Sequence, residues 1–315
     1  MTERDSRPQL EMSIFQPGLV HTPVTPFSRD HRIDFDVYGK LIEFHLRNGA
    51  DALALPMHAG ESVSLTEAER RTLVEFAIKQ VRGRVPVVAH VSDAGTGIAA
   101  ALARHAEAAG AAAVVATTPY YWTPPPAMVL EHFVQIGKAV SIPFLVYNAP
   151  EEMAGTKLTA ELALKLMDQA ANFAGVVDSS LDWQFMVELV DRARRPRPAF
   201  QLLSGAEYMV SAGAIGAKGA FSPLAAIAPG RVRELYDLCR KDRLFEARKV
   251  QEEIAALRQL VKKAGAASLK AALRAMGRDC GEVRPPLRPV GEVEYGALAE
   301  RLGTLAALRA EPRGW

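Results

Sequence analysis

The chain has 315 residues, 49% of them hydrophobic, which is enough to bury a large core. Lys plus Arg number 38 and Asp plus Glu 36, so the net charge is only +2 and makes no case for a nucleic-acid or membrane partner. The two cysteines, Cys239 and Cys280, form neither a disulfide framework nor a zinc pattern and fit a reducing cytoplasm.

Taken in chain order, residues 1–15 are polar and charged, lack the apolar core of a signal segment, and read as a flexible tail. A short apolar run, a turn and a helical stretch then repeat. The strand candidates are GLVHTPVTPF, DALALPM, VPVVAHVS, AAAVVATTP, IPFLVYNAP, FAGVVDSS, AFQLLSG and IGAKGAFS. Most are continuous apolar runs, as parallel strands buried on both faces require. Between them lie helical segments such as FDVYGKLIEFHLRNG, which Gly49 stops, and LTEAERRTLVEFAIKQ, where Thr66 and Glu69 make a capping box. The basic run Arg192, Arg194, Arg195 and Arg197 reads as a solvated loop between a helix and a strand. From Pro229 only helices follow, interrupted by the extended RPPLRPV. Eight βα units imply an α/β fold, a closed (β/α)₈ TIM barrel over 16–228 with a C-terminal helical extension over 229–315.

Chemistry in such barrels sits at the C-terminal ends of the strands. Strand two ends in Met57-His58-Ala59-Gly60-Glu61-Ser62 and strand four in Thr118-Pro119-Tyr120-Tyr121. Strand five ends in Tyr147-Asn148-Ala149-Pro150, strand six in Gly175-Val176-Val177-Asp178-Ser179, strand seven in Leu203-Ser204-Gly205, and strand eight carries Phe221.

These ends, with VTPF (Val24 to Phe27) near the start and RPPL (Arg284 to Leu287) near the finish, resemble the dihydrodipicolinate synthase/N-acetylneuraminate lyase family in order and spacing. The likeness covers about Gly18 to Val290. It implies a lyase or aldolase-like protein without a bound cofactor, a homotetramer of barrels that takes a small 2-oxo acid, usually pyruvate, as a lysine Schiff base.

The resemblance also shows a departure. The family's strand-six lysine lies in a pattern like G-I-K-E/D-S, and here Val177 takes its place, with no lysine from Leu166 to Ala217. Valine has no lone pair and forms no imine. Lys218 begins strand eight, more than about 10 Å below the strand ends, and reads as a bottom-rim residue.

By the same resemblance Tyr147 is the proton-relay tyrosine, and Tyr121 is the second relay tyrosine, which often comes from a neighbouring subunit. The family's G-T-T-G-E, which holds the substrate carboxylate, reads Met57-His58-Ala59-Gly60-Glu61. His58 replaces a relay threonine, or is simply a hydrogen-bonded loop histidine. Ala59 lacks the anchoring hydroxyl, Gly60 could still offer a backbone N–H to an anion, and Glu61 reads as a loop tie. Thr22, Val177, Asp178, Gly205 and Phe221 complete the expected substrate-binding set, with Thr22 facing the barrel and His21 the helices by alternation. Glu152 stands where dihydrodipicolinate synthases have an arginine for the second substrate's carboxylate, which opposes that reaction.

Three functional readings follow. The first is a changed lyase for a small 2-oxo acid or sugar acid, working through Tyr147, Tyr121 and His58 without an imine. The second is a non-catalytic binding or regulatory homologue. The third is a metal-assisted lyase in which His58 and His90 converge with Asp178.

Overall fold

A computed structural model describes residues 15–150 and 156–315. The expected tail therefore lies, apart from Phe15, outside the described residues, as does Glu152. Eight parallel strands close into a barrel in sequence order, β1 pairing with both β2 and β8. They are β1 (Leu19–His21), β2 (Ala52–Leu55), β3 (Val87–His90), β4 (Ala113–Thr117), β5 (Phe144–Asn148), β6 (Phe173–Asp178), β7 (Gln201–Ser204) and β8 (Gly219–Ser222). Each is shorter than its apolar run, and in β2, β4, β5 and β6 the run continues into the turn at the strand's C-terminal end.

The outer helices are α1 (Phe35–Arg47), α2 (Glu67–Val81), α3 (Thr96–Ala109), α4 (Pro126–Lys138), α5 (Ala160–Gln169), α6 (Trp183–Arg194) and the short α7 (Met209–Ala214). Helix α2 opens on the expected capping box, Thr66 accepting from the Glu69 amide and Glu69 from the Thr66 amide. Arg197 corrects the solvated-loop reading of the basic run. Its guanidinium donates to the carbonyls of Met167, Ala170, Ala171 and Phe173, so it caps the end of α5 and the start of β6.

Alternation along the strands divides the core in two. Val20, Ala52, Ala54, Val88, Ala113, Val115, Leu145, Tyr147, Val177, Leu203 and Phe221 fill the barrel interior. Their neighbours Leu19, Leu53, Leu55, Val114, Phe144, Val146, Val176 and Leu202 face the helices. His21 follows this rule: it points outward, fully buried, with Nδ1 3.0 Å from Nδ1 of His45 on α1.

The extension comprises α8 (Pro229–Arg240), α9 (Leu244–Lys262), α10 (Ala266–Ala275) and α11 (Glu292–Thr304). It is fastened by ionic contacts as well as apolar packing. Buried Arg278 donates to the carbonyls of Pro312 (2.8 Å), Gly314 (2.9 Å) and Ala226 (3.2 Å), and stacks on Phe44. Arg284, from the RPPL motif, pairs with Glu69 and donates to the carbonyls of His31 and Ser64. Two further contacts, Lys270 with Glu61 and Arg258 with Glu207, reach the strand ends.

Candidate active site at the barrel mouth

The C-terminal strand ends enclose a small cavity of about 60 Å³, lined by Thr22, Met57, His58, Ala59, Tyr147, Gly205, Phe221, Pro223 and Arg258. A cavity needs about 10–15 Å³ by this measure to hold one water, so the space takes a ligand of only a few heavy atoms. A larger cavity, of about 840 Å³, lies between the loop around Phe27 to Val37 and the extension. No strand-end residue lines it, so the small cavity is the one where barrel chemistry would sit.

Tyr147 and Val177 are register partners on β5 and β6, and both face the interior. Val177 is fully buried and Tyr147 nearly so. The Ser179 hydroxyl donates to the Tyr147 hydroxyl at 3.3 Å, so a proton donor stands behind the phenol. Among the described residues no lysine belongs to the interior cluster or lines the mouth. Lys218 lies exposed just before β8, at the far end of that strand from Ser222.

Thr22, His58, Ala59, Gly205 and Phe221 share the lining with Tyr147. Gly205 tolerates no side chain, because a Cβ there would stand 2.2 Å from Ser179 Oγ and 2.9 Å from the Asp178 carbonyl oxygen. That glycine lets β7 pass close to the Ser179–Tyr147 pair, and its amide donates to the Asp178 carbonyl at 2.7 Å.

Two expected ligand contacts are corrected. The Gly60 amide does not cradle an anion: it donates to the Met57 carbonyl at 2.9 Å, while the Gly60 carbonyl accepts from the Thr25 hydroxyl. Asp178 follows Val177 and therefore faces outward. Its carboxylate accepts from Asn148 Nδ2 at 2.6 Å and from the Ser180 hydroxyl, and burial pushes its pKa up to about 6 against those bonds. Asn148 in turn accepts from the Leu158 amide, so the Asp178 network braces the strand ends from outside.

The convergence of His58, His90 and Asp178 does not form. His90 faces inward, but its Nε2 is 2.6 Å from Ser92 Oγ, and the Ser92 hydroxyl also accepts from the Thr117 amide. Burial, with Arg70 and His58 nearby, pushes the His90 pKa down to about 3. With Asp178 turned outward, the described residues contain no group of three His, Cys, Asp or Glu side chains able to hold a metal ion. His58 is exposed at the rim. Tyr121 is 96% exposed with φ of 84°, away from the cavity of its own chain.

Glu61 is a loop tie, as expected. Its Oε1 lies 2.7 Å from Lys270 Nζ, both side chains are buried, and its Oε2 accepts from the Arg284 amide at 2.9 Å. Arg258 and Glu207 are the residues that strand-end reading misses. Arg258 sits on α9 beside the buried stripe Ile254, Leu257 and Val261, and nothing local says that this helix edge meets the barrel mouth. Glu207 follows Gly205 by two residues, so its place near the mouth was readable, but its partner was not.

The comparisons with known proteins agree with this fold. The model of the dihydrodipicolinate synthetase family matches residues 16–304. The 4-hydroxy-tetrahydrodipicolinate synthase of Chlorobium luteolum is 32% identical over 287 residues, covering 90% of this chain and 96% of the relative. The crystal structure of dihydrodipicolinate synthase from Aquifex aeolicus superposes with a TM-score of 0.88 at 28% identity, covering 94% of this chain and 100% of that one. YagE, a prophage protein of E. coli K12 solved in complex with pyruvate, gives a TM-score of 0.86 at 26% identity, covering 92% of this chain and 98% of that one. The chain belongs to the dihydrodipicolinate synthase family.

Proposed function

We propose that this chain is a lyase-type member of the family that binds a small 2-oxo acid at the barrel mouth without an imine. The observation that carries the reading is Tyr147 beside Val177: the tyrosine, backed by Ser179, faces a cavity of a few heavy atoms with no lysine among the described lining residues. Val177 stands where the family's lysine would be, so the keto group must be activated by proton transfer. In this reading Tyr147 donates a proton to the keto oxygen and His58, on the same cavity, takes one from the adjacent carbon, giving an enol. Thr22, Ala59, Gly205 and Phe221 shape the space.

Tyr121 is not among the described residues that line the mouth of its own chain, and its exposure supports a tetramer in which a second copy receives it. Cys239 and Cys280 are both buried free thiols, a state that suits a reducing compartment such as the cytoplasm.

The test is hydrogen exchange at C3 of pyruvate in D₂O, followed by proton NMR. Wild type is expected to deuterate the methyl group, and Tyr147→Phe to slow this by about 10²–10⁴-fold, the usual contribution of a positioned acid or base. Binding without exchange would identify the non-catalytic homologue instead. Absence of both would remove the 2-oxo acid.

A further inference from the structure

The cavity at the mouth, about 60 Å³, holds about four to six water-sized atoms at about 10–15 Å³ each. Pyruvate has six heavy atoms, 2-oxobutyrate seven and 2-oxovalerate eight, so pyruvate stands at the limit of the space.

Two large apolar side chains set that limit. Among the described lining residues, Met57 and Phe221 are the bulky apolar ones, while Thr22, His58, Tyr147 and Arg258 carry the polar groups. Met57 and Phe221 both belong to the interior cluster and are only 4% and 1% exposed. Phe221 is built into the barrel, on β8 in register with Val20 of β1. Met57 lies past the end of β2, in the turn that leads to His58. Its backbone is ordinary extended chain, with φ −79° and ψ −172°, and its carbonyl accepts from the Gly60 amide, a bond that any residue can make. A smaller side chain therefore imposes no strain on this turn. The pattern G-T-T-G-E, which Met57 to Glu61 resembles, has no side chain at its first position. Methionine adds a flexible apolar chain of four heavy atoms to the cavity wall. The carboxylate and keto groups of a bound acid belong on the polar side of the lining, which leaves the alkyl end against Met57 and Phe221.

We propose that Met57 determines the chain length accepted at this mouth: it admits a 2-oxo acid of three carbons and fills the space that a longer alkyl end would need. The proposal rests on the 2-oxo acid reading of the same site.

The experiment measures binding of pyruvate, 2-oxobutyrate and 2-oxovalerate to the full-length protein by calorimetry. The three acids share the carboxylate and keto groups and differ only in the alkyl end. Wild type should favour pyruvate over 2-oxobutyrate by about 10–200-fold, the range for one methylene in a pocket, with 2-oxovalerate weaker still. Met57→Ala removes three heavy atoms, more than the two methylenes that separate 2-oxovalerate from pyruvate, so the preference should fall by about tenfold or more. Met57→Leu conserves the volume and should keep the wild-type order. A merely structural role for Met57 would weaken all three acids alike and leave their ratios unchanged. If Met57→Ala does not fold, Met57→Val carries the test. It suits extended backbone and removes one heavy atom, so it should admit 2-oxobutyrate and still exclude 2-oxovalerate. With pyruvate bound by wild type, a folded Met57→Ala that keeps the wild-type ratios, or binds none of the acids, overturns the role of Met57 and leaves the 2-oxo acid reading standing. A wild type that binds 2-oxovalerate as tightly as pyruvate does the same. A wild type that binds none of the three overturns both.

Discussion

Replacing Lys270 by Met breaks the contact that holds the strand-two loop against the extension. The Glu61 and Lys270 side chains are 1% and 3% exposed, and their charged atoms stand 2.7 Å apart. Lys270 also donates to the Glu282 carbonyl at 2.8 Å and sits over the Phe27 ring. In Lys270→Met the methionine keeps the stem and the ring contact, but the Glu61 carboxylate retains only the Arg284 amide among these partners. Removing one partner of a buried ion pair costs about 3–5 kcal/mol, chiefly because the other charge stays buried. Urea denaturation should therefore show a loss of about 3 kcal/mol with the slope preserved. In the double variant Glu61→Gln/Lys270→Met most of that loss should return, since a neutral amide can still accept from Arg284. A loss below about 1 kcal/mol in Lys270→Met, the level of an exposed pair, would show that water reaches Glu61 and that the loop is not held this way.

Three further outcomes follow from the site. Val177→Lys places an amine beside Tyr147, where burial lowers a lysine pKa by up to about 3–5 units, so borohydride with pyruvate should give a stable adduct that wild type lacks. A folded variant that traps no 2-oxo acid would show that the mouth is not a pyruvate site. Asp178→Asn should change how stability varies with pH. Asp178 has a folded-state pKa raised to about 6 from 3.8, so the folded state holds the proton more tightly and wild-type stability falls as pH rises from about 4 to 6. The full effect is about 3 kcal/mol for a shift of two units, and the asparagine variant should lose this slope in pH-dependent denaturation; an unchanged slope would refute the buried-carboxylate account. Light scattering should report a tetramer, and Tyr121→Ala should lower exchange at pyruvate C3 only if the tyrosine crosses into a second copy; a wild-type monomer would leave Tyr121 without a role.

The barrel was legible because its strands are continuous apolar runs separated by turns and amphipathic helices. Period-two alternation in the sequence places Thr22 inside the barrel and His21 outside it, and the structure agrees. The same rule, applied from Val177 to its neighbour, turns Asp178 outward. The Gly60 amide differs from the sequence expectation because a single 3₁₀ turn over His58–Gly60 consumes it, and such turns leave little sequence signal. Arg258 was invisible for a different reason: its contact with Glu207 joins residues 51 apart, and its meeting with the mouth depends on how the extension docks. Helical periodicity shows which face of α9 is buried but not against what.

The absence of an imine is the claim on which the rest depends. The most direct measurement is incubation of the wild-type protein with pyruvate and borohydride, followed by intact mass and peptide mapping. The account predicts the unmodified mass under conditions where pyruvate occupies the mouth. A reduced pyruvyl adduct on any lysine would contradict it, and an adduct on Lys218 would show that the amine had moved to another strand.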